Sequence, residues 1–328
     1  MSHKNKKKPP DLPHQAHQKI FGMLARGEGT SKRADKITGQ TDGKIYSRAT
    51  AQTYYKHLKY FCRYVKERHP ECRTLDDARQ YTDEWLCSRI AEGLSSWTIQ
   101  LEAKAIGKLY GIKPDDPDYF HCPARHRQEI TRSRFDAVRD KHFNEERNSE
   151  LVSFCRGTGL RRSELEDLRG RDLVSRDELQ ARVDEISRSE GHSSAEVSAL
   201  KRYRDSLRLF PEKEYFVYVE HGKGGRDRYA PICADVERIV DRLRSTEPDA
   251  KVWQRVNSNA DIHGYRAEYC SSLYLEKARA TDGLSRKELY CCRGERSGEH
   301  FDRAALAACS CALGHSRLDV VVTSYLRN

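Results

Sequence analysis

Three stretches of helical period follow one another between Ser47 and Gly111, and they confine this part of the chain to a small all-helical bundle. In the first, Ser47 is placed as an N-cap, Tyr54, Leu58, Phe61 and Val65 recur at i, i+4, i+7 and i+11, and Pro70 ends the run. The second runs from Thr74 to about Glu92, with Tyr81, Trp85 and Ile90 directed inward and Gly93 as its stop. The third opens at Ser95 or Ser96, repeats the spacing in Ile99, Ala103, Ile106 and Tyr110, and halts at Gly111. Lys56, Lys59, Arg63 and Lys66 lie around the rest of the first helix, so the bundle has a basic side.

Residues 1–17 are basic, contain proline and read as a disordered tail able to lie on phosphates. Residues 20–44 suggest a short helix followed by glycine-rich loops, so 1–44 is expected as a basic, partly disordered tail and 45–125 as the bundle. Residues 113–134 combine proline and charge with little periodicity and mark a linker, leaving 126–328 as a second domain. Two domains suit a chain of 328 residues.

Lys and Arg outnumber Asp and Glu by 60 to 50, which favours a polyanion as partner, with nucleic acid ahead of a membrane surface. No apolar run approaches the ~18 residues that cross a bilayer, and the N-terminus lacks the apolar centre of a signal peptide, so a cytoplasmic protein with no membrane partner is expected. The eleven cysteines are odd in number and contain no C-x-x-C, and Cys291-Cys292 and Cys309/Cys311 lack ligand spacing. Reduced, mostly buried thiols and no metal are expected.

The second domain reads as mainly helical with a small antiparallel β-sheet. After a helix through Ser149–Cys155, the glycines 157 and 159 precede a helix opening on Leu160-Arg161, where a guanidinium and backbone N–H groups can face an anion together. Glu164, one turn on, can hold that arginine. Residues 176–210 are charged and poor in core residues, and read as a protruding insertion. Tyr215–Glu220 and Arg228–Ile232 form a hairpin with Lys223 on its glycine-rich turn. His263 and Arg266 stand one turn apart on a helical face, an irregular charged segment covers about 276–300, and a final helix spans Arg303–Leu313. Beyond it, Leu313-Gly-His315 and Tyr325, ten residues past His315, put an imidazole and a phenol at the two ends of a short helix-and-turn unit.

Arginines bind phosphate through paired hydrogen bonds and keep their charge at any working pH. Two of them with an imidazole can cradle a pentavalent phosphorane, whose added negative charge must be stabilised. In that field the Tyr325 phenol can serve as a nucleophile, and Lys223 can protonate the departing oxygen. No metal or other cofactor is required.

The order Gly-Leu-Arg161-x-x-Glu-Leu, Gly-Lys223-Gly-Gly-x-x-Arg, His263-x-x-Arg266, Leu-Gly-His315 and Tyr325 resembles the tyrosine recombinase (phage-type integrase) family. Each box is short, and their order carries the likeness. The resemblance runs from about Ser47 to the end and implies an N-terminal helical core-binding bundle with a C-terminal tyrosine-recombinase catalytic domain. It implies Arg161, Lys223, His263, Arg266 and His315 as active-site residues and Tyr325 as the nucleophile. One DNA strand would be cut through a 3′-phosphotyrosyl ester, which a 5′-hydroxyl of the partner duplex then attacks, so neither ATP nor a metal is needed. The implied partners are double-stranded DNA, other copies in a homotetramer on two duplexes, and DNA-bending accessory factors, with integration or excision of a mobile element as the outcome.

Three departures qualify the match. Arg266 and His315 are 49 residues apart, about twice the family's usual interval, making 276–300 an insertion, and Tyr290-Cys-Cys-Arg293 competes for the second-arginine role at a more usual distance. His263/Arg266 is preferred because the helix after it fits the pattern. The interval from His315 to Tyr325 is one residue longer than commonest. Three residues follow Tyr325, so either assembly uses other surfaces or the tyrosine segment itself is exchanged between protomers. Two other readings are a DNA-binding architectural protein of this fold without strand exchange and a type IB topoisomerase, whose DNA clamp is usually larger.

Overall fold

A computed structural model describes residues 10–126, 143–188, 191–222 and 226–326 of the chain. It divides into two compact units, Met1–Ile130 and Thr131–Asn328.

The first unit is helical among its described residues. It comprises α1 (Leu12–Gly27), α2 (Lys32–Ile37), α3 (Arg48–Arg68), α4 (Leu75–Ala78), α5 (Thr82–Ala91) and α6 (Ser96–Tyr110). Ser47 and Ser95 accept from the backbone N–H groups of Thr50 and Thr98, and Gly111 closes α6 in the left-handed conformation. Leu58, Phe61, Val65, Trp85, Ile99 and Ile106 are buried in the bundle, each contributing roughly 1.5–3 kcal/mol of apolar transfer.

The first unit departs from the expected pattern at three places. The segment read as a tail contains α1, which Asp11 caps and which buries Leu12, Ala16, Ile20 and Leu24 against α3; the spacing of four hides among His and Gln residues. The second helix is broken at Arg79–Tyr81 by a 3₁₀ turn, and within α5 Ile90 stands five residues, roughly 140° around the helix, from the buried Trp85, so Leu86 beside Trp85 is buried and Ile90 is exposed. The start of the expected linker is part of this unit: Tyr119, Phe120 and Cys122 pack on the bundle, and Gln100 donates to the Pro123 carbonyl at 3.1 Å.

The second unit carries α7 (Ser149–Thr158), α8 (Arg162–Asp167), β1 (Leu173–Ser175), α9 (Arg176–Arg188), α10 (Ser194–Leu209), β2 (Tyr215–Gly222), β3 (Arg226–Pro231) and α11 (Val236–Arg244). Then come α12 (Ile262–Lys277), β4 (Leu289–Cys291), β5 (His300–Asp302), α13 (Arg303–Leu313) and α14 (Leu318–Ser324). Strands β1, β2 and β3 form one antiparallel sheet in that order, with Val217 opposite both Leu173 and Ala230. One core joins α7, α8, α11 and the sheet; another gathers α12, α13 and α14 around Phe216, Tyr269 and Leu313.

The 176–210 insertion does not simply protrude. It is a helical hairpin, α9 and α10, that buries Leu179, Val183 and Leu200 and returns to β3 through a hydrogen bond from Arg182 to the Tyr229 hydroxyl at 3.2 Å. The irregular segment before α13 contains a second small sheet of β4 and β5, with Tyr290 opposite Phe301. Of the eleven thiols, all free, Cys62, Cys155, Cys270 and Cys309 are buried, six are half-buried and Cys87 is exposed.

Candidate active site

The site is assembled on the C-terminal end of α13. The last carbonyls of a helix have no partner within it and carry partial negative charge, so they attract cations. Gly314 ends α13 in the left-handed conformation (φ 68°), where a Cβ would stand 3.0 Å from Arg228 Cδ. Arg228 Nε donates to the Ala312 carbonyl at 2.9 Å and Arg161 Nη2 to that of Leu313 at 3.1 Å. Arg266 Nη2 donates to the same Leu313 oxygen. Three guanidiniums from three elements thus meet at one helix end.

Glu164 holds two of them together. Its Oε1 accepts from Arg161 Nη1 at 2.6 Å and Arg228 Nη1 at 2.9 Å; its Oε2 accepts from Arg228 Nη2 at 2.7 Å and the Arg161 backbone N–H at 2.8 Å. Burial raises the carboxyl's pKa, but the hydrogen bonds and charge of Arg228, then of Arg161, outweigh it and hold the group at about 2. The carboxylate is therefore ionised, and set against three guanidiniums it leaves the cluster cationic, as an anionic ligand requires.

Arg266 is 1% exposed. Its Nη1 donates to the Gly159 carbonyl, and Gly159 can turn there because it is left-handed (φ 60°) and its missing Cβ leaves room for the Tyr269 ring. Burial pushes the Arg266 pKa down, while the adjacent Tyr325 oxygen pulls it up. Arg266 Nε donates to the Tyr325 hydroxyl at 3.1 Å, and His315 Nε2 shares a 3.2 Å hydrogen bond with that oxygen, in a direction set by the imidazole tautomer. The His263 ring meets the Tyr325 ring edge-on at 5.3 Å. Tyr325 follows α14, is 6% exposed, and is seated by the buried Val321 and Val322.

Of the residues expected at the site, Arg161, His263, Arg266, His315 and Tyr325 are brought together. Lys223 lies outside the described residues; its neighbour Gly222 lines a cavity of 720 Å³ that Arg161, Glu164, Arg169 and Arg171 also line. Between the two candidates for the second arginine, Arg266 is the one that touches Tyr325, while Arg293 is exposed at the end of the β4 segment. Arg228, the last residue of the hairpin motif, joins the cluster through Ala312 and Glu164 without any local sequence signal marking it. Among the described residues no group of three or more His, Cys, Asp or Glu side chains is placed to hold a metal ion.

No protein-family profile and no curated protein matches the chain. Solved structures similar to it include one of the XerA recombinase, at 15% identity, covering 96% of this chain and 94% of that one with a TM-score of 0.27. Another is residues 82–397 of the Tn1549 transposon integrase in complex with circular intermediate DNA, at 14% identity, covering 95% of each chain with a TM-score of 0.35. Both likenesses are loose, and what the site can do follows from its own residues.

Proposed function

We propose that this chain is a site-specific DNA recombinase of the tyrosine type, serving the integration or excision of a mobile element. The observation that carries the reading is the Tyr325 oxygen, which lies within hydrogen-bond reach of both Arg266 and His315 inside a cationic cluster. A phenol needed only for packing gains little from two such partners; a nucleophile gains its activation and its aim from them.

In the proposed step the scissile phosphodiester binds between Arg161 and Arg266. His315 accepts the phenolic proton, and the Tyr325 oxygen attacks phosphorus. The cationic cluster stabilises the charge that accumulates on the phosphorane oxygens. The bond to the 5′-oxygen breaks, Lys223 supplies that oxygen's proton, and a 3′-phosphotyrosyl ester remains. Attack by a 5′-hydroxyl from a second duplex reverses each transfer, so the ester's energy is conserved without ATP. The bundle's basic face, with Lys56, Lys59, Arg63 and Lys66, would grip the duplex, and strand exchange would need a homotetramer on two duplexes.

Incubation with a suicide substrate nicked beside its crossover site tests this. A covalent protein–DNA adduct is expected from the wild type and none from Tyr325→Phe. Absence of the adduct with authentic recombination-site DNA, in protein that binds that DNA, would leave a DNA-binding role without strand cleavage.

A further inference from the structure

α14 has seven residues, too few to hold a helix unaided, yet its C-cap is Tyr325, the residue that the proposed reaction must aim to within fractions of an ångström. Part of its support comes from beyond α13. Arg296 lies in the segment between α12 and α13, and its Nη1 donates to the carbonyls of Val322 at 2.7 Å and Leu326 at 2.8 Å, the two residues that bracket Tyr325. The same guanidinium is held from its other edge by Glu299, which accepts from Nε at 2.7 Å and also from Nη2. Its plane lies over the Phe301 ring, 5.2 Å from the centroid.

The base of this arm is fixed in turn. Arg279 donates to both carboxylate oxygens of the buried Asp302, at 2.8 and 3.1 Å, and to Glu288 at 2.8 Å. Asp302 also caps α13 by accepting from the Ala304 N–H. Backbone pairing of β4 with β5, flanked by hydrogen bonds from the Arg303 N–H to the Glu288 carbonyl at 2.8 Å and from the Cys292 N–H to the Glu299 carbonyl at 3.0 Å, joins this base to Arg296 and so to the end of α14.

We propose that Arg296 is a positioning residue for Tyr325, and that the 278–302 arm is a latch keeping the nucleophile segment seated on the arginine cluster. The guanidinium suits this work because one planar group can serve two helix-end carbonyls on one edge and a carboxylate on another, which a lysine cannot do. Arg296 does not reach the Tyr325 hydroxyl; it acts through the backbone on either side of it. The segment that lengthens the interval between Arg266 and His315 thereby acquires a role.

The role in cleavage rests on the recombinase reading, whereas the latch itself does not, and the two are tested separately on the full chain. Amide exchange read by mass spectrometry is expected to speed up by about tenfold or more over 318–326 in Arg296→Ala, with α3 and α6 unchanged. Single-turnover adduct formation at saturating suicide substrate is expected to slow by on the order of 30-fold, with DNA affinity held. Glu299→Gln, which leaves the carbonyl contacts in place, is expected to fall between wild type and Arg296→Ala on both readouts, and it serves if Arg296→Ala folds poorly. Unchanged exchange over 318–326 in both variants would overturn the latch; wild-type adduct rates in variants whose exchange has risen would overturn the positioning role. If the wild type forms no adduct, the recombinase reading fails while the exchange measurement still decides the latch.

Discussion

Glu164 accepts from both terminal nitrogens of Arg228, at 2.9 and 2.7 Å, so a carboxylate on α8 fixes a guanidinium on β3 across 64 positions of sequence. The same carboxylate holds Arg161. Glu164→Gln keeps the shape and removes the charge, leaving buried guanidiniums without their counter-ion. Breaking such a pair from one side costs on the order of 3 kcal/mol, expected as a lowered urea midpoint at pH 7. The pH dependence has a definite sign. The folded pKa of about 2 lies below the unfolded value of about 4.3, so this stabilisation is complete above the unfolded value and is lost as pH falls through the folded one. The gap between wild type and Glu164→Gln should therefore close on acidification below about pH 4.3. A constant gap from pH 7 to pH 2 would contradict the pairing.

Arg266 spends its three nitrogens on three different partners: Gly159, Leu313 and the Tyr325 hydroxyl. A lysine can neither span that set nor present a planar fork to phosphate. Arg266→Lys is expected to lower the single-turnover cleavage rate by about 10²- to 10³-fold, the usual loss when one aimed transition-state donor is removed. Affinity for duplex DNA should change far less, because it draws on many phosphate contacts. Equal losses in binding and cleavage would instead make Arg266 a general contributor to DNA affinity.

Gly159 supplies the carbonyl that orients Arg266, from a left-handed backbone in which an added Cβ would strike the Tyr269 ring. Gly159→Ala should therefore cost about 3 kcal/mol through strain and overpacking together. Because the displaced ring lies beside the site, the residual folded protein should also cleave more slowly. Thermal unfolding followed by adduct formation well below the new midpoint separates the two effects.

The parts of the site that could be read from sequence are those whose neighbours are local. Arg161 at a helix start, the Gly314-His315 turn and Tyr325 beyond it are signalled by short motifs whose backbone consequences are predictable. Glu164 with Arg228 was not legible, because the pairing depends on the hairpin returning to α8, which no local pattern encodes. Spacing alone also left Arg266 and Arg293 in competition, since the arm that lengthens the interval folds back as β4 and β5 rather than extending the helices. In the first unit the basic charge of the N-terminus obscured the buried stripe of α1, and charge says nothing about which face of a helix is covered.

Lys223 is assigned the leaving-group proton through its motif alone, and that assignment has its own test. In the proposed step a 5′-alkoxide, a poor leaving group, must be protonated. If sulfur replaces the bridging 5′-oxygen, the departing thiolate is far less basic and needs no acid. Lys223→Ala is expected to lose about 10²- to 10⁴-fold in cleavage of ordinary DNA and to recover most of it on the 5′-thio substrate. Arg266→Lys should gain no comparable rescue, because its defect is in stabilising charge on the non-bridging oxygens, which the sulfur does not change. Rescue of both variants, or of neither, would remove Lys223 from the role of general acid.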